Sequence, residues 1–224
     1  MRVDVGGSTA RDVLIPLLPD FMARYPDIRL ELSVSDRSVD LVGDNVDCVI
    51  RGGAMQSSSL VARRLGEAVL ITCAAPAYLK QCGTPAYPEE LRNGHRLVAY
   101  VSSDTGRPVP LRFAHDGQST EIKIEHRVGI NESNAHLAAC VAGLGVAQTF
   151  GYAAAEALGD GRLVEILQAW RPAPYPFQLV YPQARHVTHR LRVFMDWLLE
   201  VFPAHVAVCP DPKPRATAAI SFTR

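Results

Sequence analysis

The first 53 residues change period repeatedly, and that alternation restricts the fold more than any other feature of the chain. Arg2 to Val5 reads as a short strand, followed by the turn Gly6-Gly7 and the hydroxyl pair Ser8-Thr9. Val13, Leu14, Leu17, Leu18, Phe21, Met22 and Tyr25 then recur every three to four residues, the mark of a helix with one apolar face. Pro16 and Pro19 fall inside it, and each lacks a backbone donor, so a kink or a helix in two pieces is expected. Ile28, Leu30, Leu32 and Val34 alternate with polar residues as a strand does. A short helix through Val39, Leu41 and Val42 follows, then a strand from Val46 to Arg51 stopped by Gly52-Gly53. Strand, helix, strand, helix, strand implies right-handed crossovers and a parallel sheet.

Further strands are expected over 60–65 and 68–74, and at Pro76 the pattern changes. Short helical pieces at 77–79 and 88–91 precede a strand over 97–101. His115-Asp116-Gly117 between two apolar runs signals a hairpin. Residues 127–130 read as a strand and 132–142 as a helix closed by Gly143. A strand over 145–148, a helix over 152–158 and a strand over 162–166 come next. Pro172, Pro174 and Pro176 mark a connector, followed by a strand over 178–181 and an amphipathic helix over 187–202. From Pro203 onward the chain reads as a loose tail. The architecture expected is α/β: one unit from residues 1–75 and 176–205, a second from 76–175 inserted in it, and a tail at 206–224. The chain crosses twice, near Ala75-Pro76 and near Pro172 to Pro176, so two hinges border a cleft that can close on a ligand.

Composition removes several classes. The formal net charge is +0, which gives this segment no overall pull on nucleic acid or an anionic membrane. Five cysteines without a C-x-x-C pair argue for reduced thiols rather than a disulfide framework or a zinc site. No apolar run approaches the roughly 20 residues of a membrane helix, and no signal-peptide core opens the chain, so the expectation is a cytoplasmic protein. There is no G-x-S-x-G elbow and no Walker loop. Gly143-x-Gly145 lacks the third glycine of a dinucleotide motif and reads as a helix end feeding a strand. His186 and His189 have no acidic neighbours, so no metal is expected, and no cofactor. Asp4 and Asp47 lie in strands and are candidates for catalytic carboxylates, but salt-bridged structural roles explain them better; an enzyme is not expected.

Ligands of open parallel sheets bind beyond the carboxyl ends of the strands. Those ends carry Gly6 to Thr9, Asp36-Arg37, Arg51-Gly52-Gly53 and Thr149-Phe150. A helix start has unpaired N–H groups and partial positive charge, and glycine permits close approach, so Gly7, Ser8 and Thr9 suit a small carboxylate or phosphate. Arg37 and Arg51 would add charge. Against this, Ser8 or Thr9 can simply cap the helix, and both arginines can pair with Asp36 or Asp44.

Taken in order, these segments resemble one family. The run Val3 to Ala10, Leu14-Ile15-Pro16-Leu17-Leu18-Pro19-Asp20-Phe21 and Tyr25-Pro26-Asp27-Ile28 resemble the effector-binding domain of LysR-type transcriptional regulators. So do Leu30-Glu31-Leu32 with Asp36-Arg37, the strand ending at Arg51, Leu60 to Leu65, Ala142 to Ala147, and the helix Arg192 to Leu198. The resemblance spans residues 1 to about 205. It implies two Rossmann-like subdomains of the type 2 periplasmic-binding-protein kind, with a small effector held between them; the helix starts and arginines above make that effector an anion by expectation. It implies that Gly7, Ser8 and Thr9 border the effector, with Arg37, Arg51, Ser102, Thr149 and Phe150 also at the site. It implies a homodimer or homotetramer in which the helix after Thr9 lies beside the partner's helix near His136. The family often has proline where Phe150 stands. It also begins with a winged helix-turn-helix that contacts DNA, whereas this sequence starts at the effector domain, as an expressed fragment or a truncated reading frame would. The competing expectation is a free-standing solute-binding protein of the same architecture.

Overall fold

The computed structural model describes residues 1–41, 43–53, 59–183 and 187–208. Its first lobe is built on a five-stranded sheet. The strands are β1 (Arg2–Val5), β2 (Glu31–Val34), β3 (Cys48–Gly52), β4 (Leu60–Ala68) and a late arrival, Tyr175–Pro182, in the spatial order β2, β1, β3, Tyr175–Pro182, β4. β1 runs parallel to both β2 and β3, as the alternation predicts. The late strand lies antiparallel to β3 and β4, so the sheet is mixed rather than wholly parallel.

Between β1 and β2 the chain is helical from Gly7 to Arg24. An α-turn at Gly7–Thr9 (α1) passes into a π-helical stretch at Ala10–Leu14 and then into α2 (Ile15–Arg24). The expected break at the prolines is thus absorbed by a wide turn placed just ahead of Pro16, where a donor is missing. The helix expected through Val39 and Leu41 is not formed: Leu41 sits in a turn, and Val42 lies outside the described residues.

The second lobe has smaller sheets. β5 (Leu70–Ala74), which the sequence reading placed in the first unit, pairs antiparallel with two later strands, Ala147–Phe150 and Val164–Ile166. The first crossing therefore lies at Val69, between β4 and β5, not at Ala75-Pro76. α3 (Pro76–Cys82) follows, then β6 (Leu97–Tyr100), the hairpin β7 (Leu111–His115) with β8 (Gln118–Ile122), and β9 (His126–Ile130), parallel to β6. α4 (Ser133–Val141) is capped by Glu132, whose carboxylate accepts from the N–H groups of Asn134 and Ala135. Gly143, at φ +79, ends it as expected. β10 (Ala147–Phe150), α5 (Gly151–Gly159) and β11 (Val164–Ile166) complete the lobe. The chain then returns through β12 (Tyr175–Pro182) to the first lobe and ends in α6 (His189–Val206).

Each lobe has its own core. In the first, Phe21 meets Phe194 edge-on at 5.3 Å and Trp197 at 4.9 Å, over Val3, Ile50 and Phe177. In the second, Ile71, Tyr78, Leu91, Val98, Phe113 and Leu137 pack together. α5 serves both, through Tyr152 and Ala153 on one side and Ala154 and Ala157 on the other. The tail expected from Pro203 does not start there: Pro203 lies within α6, and Val206 is fully buried. A Cβ on Gly66 of β4 would come within 3.1 Å of Val206 and 3.2 Å of Pro203, so glycine lets this end of the helix seat directly on the strand. Residues 209–224 lie outside the described residues.

Candidate functional site

One cavity of about 490 Å3 lies between the lobes. The first lobe lines it with the β1–α1 turn, the segment after β2 and the end of β3. The second lines it with β6, the start of β7, the start of α4 and β10. Of the residues singled out in the sequence, Ser8, Thr9, Arg37, Arg51, Ser102, Thr149 and Phe150 all line it. Gly7 does not; Gly6 does.

Gly7 has a different task. A Cβ there would stand 2.4 Å from Glu132 Oε1 and 2.9 Å from Asn134 Nδ2. Its missing side chain lets the start of α1 abut the start of α4 across the lobes. The anion expected at this point is the protein's own. Asp36 Oδ1 accepts from the Gly7 N–H at 2.8 Å, and Asp36 Oδ2 accepts from the Ser133 N–H. One carboxylate thus joins two helix starts from two lobes, where both partial charges favour it. The Ser8 N–H donates to Ser133 Oγ at 2.8 Å, a second link across the lobes. Thr9 Oγ1 shares a buried hydrogen bond of 3.0 Å with the Tyr152 hydroxyl. At the mouth, Ser38 donates to Asp104 through both its N–H (3.2 Å) and its hydroxyl (2.7 Å).

Arg51 is committed as well, though not to Asp36 or Asp44. It pairs with Asp4, which is fully buried beneath it in β1, and donates to the carbonyls of Ser35 (2.8 Å), Arg37 (3.1 Å) and Ile50 (3.2 Å). Burial pushes the Asp4 carboxyl above its usual range, and Arg51 pulls it part of the way back. Asp4 is therefore the foot of an ion pair. Arg37 is exposed at the mouth. The Ser102 hydroxyl accepts from the Thr105 N–H at 3.3 Å and so shapes a turn.

Among the lining residues that escaped the sequence reading are Tyr100, Arg112, His136 and Tyr175. Burial above all, then the nearby Asp36 carboxylate, pushes the Tyr100 hydroxyl pKa up. His136 is buried with Nε2 2.9 Å from the Val98 carbonyl, and its burial holds its pKa below the usual value. The Arg112 guanidinium lies 5.7 Å from the centre of the Tyr175 ring. Phe150, where the resemblance expects proline, packs against Tyr175 (5.7 Å) and Phe177 (5.3 Å) and stacks on Tyr152 (5.4 Å). Tyr100, Arg112 and Tyr175 lie near strand ends and His136 near the start of α4, positions that many other residues share.

Among the described residues no three His, Cys, Asp or Glu side chains come together as metal ligands, and no helix is long and apolar enough to cross a membrane. His186 lies outside the described residues.

Comparison with known proteins agrees with this geometry. Residues 1–203 match the family model of the LysR substrate binding domain. An HTH-type transcriptional regulator of Escherichia coli, YhjC, is 37% identical over 92% of this chain and 69% of its own length. An HTH-type transcriptional repressor of Pseudomonas aeruginosa is 35% identical over 90% of this chain and 63% of its own. The chain thus spans about two thirds of these relatives. Among solved structures, the regulatory domain of CrgA from Neisseria meningitidis, a LysR-type transcriptional regulator, superposes with a TM-score of 0.78 at 29% identity, covering 89% of this chain and 97% of that one.

Proposed function

The chain belongs to the LysR family of transcriptional regulators, and from that premise we propose that it senses a small carboxylate in the cleft between its lobes and passes the signal to a DNA-binding segment of the same regulator. The observation that carries the reading is the shared cavity: a molecule held there touches both lobes at once. A ligand shifts a conformational equilibrium only by its difference in affinity for the two states, and contacts to both lobes supply that difference. A carboxylate is favoured because the arginines Arg37 and Arg112 line the cavity.

Dimer formation belongs to the same proposal. Ile15 and Met22 on α2 are exposed, as is Leu144 just beyond α4, and these are the two faces the resemblance brings together between protomers. His136 itself points inward, so the contact would use its helix rather than its ring.

A thermal-shift screen of small carboxylic acids tests the reading. A ligand that binds only the folded state at a hundred times its Kd adds about 2.7 kcal/mol of stability. Stabilisation by an acid, abolished when Thr149→Trp fills the cavity, is the expected result. A panel that leaves the melting temperature unmoved throughout would defeat it.

A further inference from the structure

The cavity has two polar corners with no residue in common, and their state of pairing differs. At the first, Asp36 receives the N–H groups of both helix starts, and the Tyr100 hydroxyl lies beside it. The donors that would hold an anion there are used, and the carboxylate already present repels another. At the second, Arg112 is held by its main chain. Its N–H donates to Gln148 Oε1 at 2.9 Å, and its carbonyl accepts from Gln148 Nε2 at 2.8 Å. Its guanidinium carries five donors. Nε forms a 3.5 Å ion pair with Oε1 of the exposed Glu121 but no hydrogen bond, and among the described residues the side chain makes none. It is a positioned cation with its donors unspent.

Between the corners the lining is apolar and aromatic. Phe150, Tyr175 and Phe177 form one wall, and Ile50, Leu70 and Val98 stand among the other lining residues. An apolar body of limited polarity with a single charged handle matches such a site, because each buried polar group of a ligand needs a partner.

Resting on the sensing role proposed above, we propose that the effector is an aromatic monocarboxylate whose carboxylate pairs with Arg112, and that Asp36 determines specificity by denying the helix starts to a second carboxylate. Arg51 does not compete for the anchor, since its charge is paired with the buried Asp4 and its two Nη groups donate to three carbonyls as well. Arg37 is exposed at the mouth, and among the described residues no aromatic contact holds it.

Three probes that share one ring test this by calorimetry on the chain as described: phenylacetate, the neutral phenylacetamide and the dicarboxylate phenylmalonate. Phenylacetate is expected to bind at least about tenfold more tightly than the other two, the scale of a hydrogen bond to a charged group. Arg112→Gln should reduce phenylacetate binding by about tenfold or more while leaving the unliganded melting temperature in place, because Gln148 holds the main chain and not the side chain. Asp36→Asn should admit phenylmalonate. Equal binding of acid and amide, or full binding by Arg112→Gln, would remove the anchor. Phenylmalonate binding the unaltered protein as well as phenylacetate does would remove the role of Asp36. If none of the three binds at millimolar concentration while an aliphatic acid does, the aromatic class is wrong and the sensing cleft stands. If no acid binds at all, both fall.

Discussion

Arg51 and Arg112 line one cavity from opposite lobes, yet they are used in opposite ways. Arg51 spans the end of β3 with an ion pair to a fully buried Asp4 and hydrogen bonds to neighbouring carbonyls. Arg112 rests on an aromatic ring beside a loosely placed, exposed glutamate. The first-lobe wall repeats the pattern: Asp36, Ser8 and Thr9 are all engaged with the protein itself. That wall holds the molecule together, whereas the second lobe presents an unspent cation and much of the apolar lining. An arginine beyond a strand is therefore not a ligand group by type; what lies behind it decides.

The sharpest break of this comparison is Arg51→Ala. It strands a buried carboxylate and should cost about 3–5 kcal/mol in urea unfolding. Arg112→Ala, measured in the same way, should cost less than about 1 kcal/mol, because its ion pair is largely solvated. Equal losses would erase the distinction between the walls. Asp36→Ala should cost about 1–2 kcal/mol through two lost helix-start acceptors, with faster hydrogen exchange at the Gly7 and Ser133 amides. Unchanged exchange at Ser133 would mean the carboxylate does not tie the lobes. Tyr152→Phe, which deletes the partner of Thr9, should cost about 1 kcal/mol.

The smallest effect is one of pH. Burial, only partly offset by the Val98 hydrogen bond, holds the His136 pKa below its usual 6.5. As pH falls through 6.5 the unfolded chain takes up the proton first, so stability present at neutral pH declines below that point. Unfolding measured from pH 7.5 to 5.5 should show that decline, and His136→Gln should flatten it in part. His95, shifted the same way by its own burial, leaves a residual slope. A profile identical in the variant would show that His136 titrates normally.

The sequence made the elements legible wherever period alone decided them: β1, β2, the hairpin turn and α6 stand close to where apolar spacing puts them. It also brought seven of eight candidate residues to one cavity. What stayed hidden was partnership. Asp4 and Arg51 lie 47 residues apart, and Asp36 and Ser133 lie 97 apart, so no local pattern records that they meet. The same holds for β5, whose strand character was plain but whose lobe depends on which strands accept its edges. Gly7 suggested an open approach for a ligand; the space it leaves is taken by the cap of α4. The turn at Leu41 replaced a helix because three apolar residues cannot repay the nucleation of so short a segment without tertiary support.

The central place of β12 has a consequence for the order of events in folding. β4 finds its strand partner in β12, and β3 finds there its second one. During synthesis, residues 1–68 emerge before the rest of these two lobes, but their sheet waits for residue 182. Until then β4 is a nine-residue strand with both edges open, the kind of edge that recruits other chains. The lobe made first is finished last, and a chain cut anywhere before Tyr175 would hold that vulnerable edge permanently.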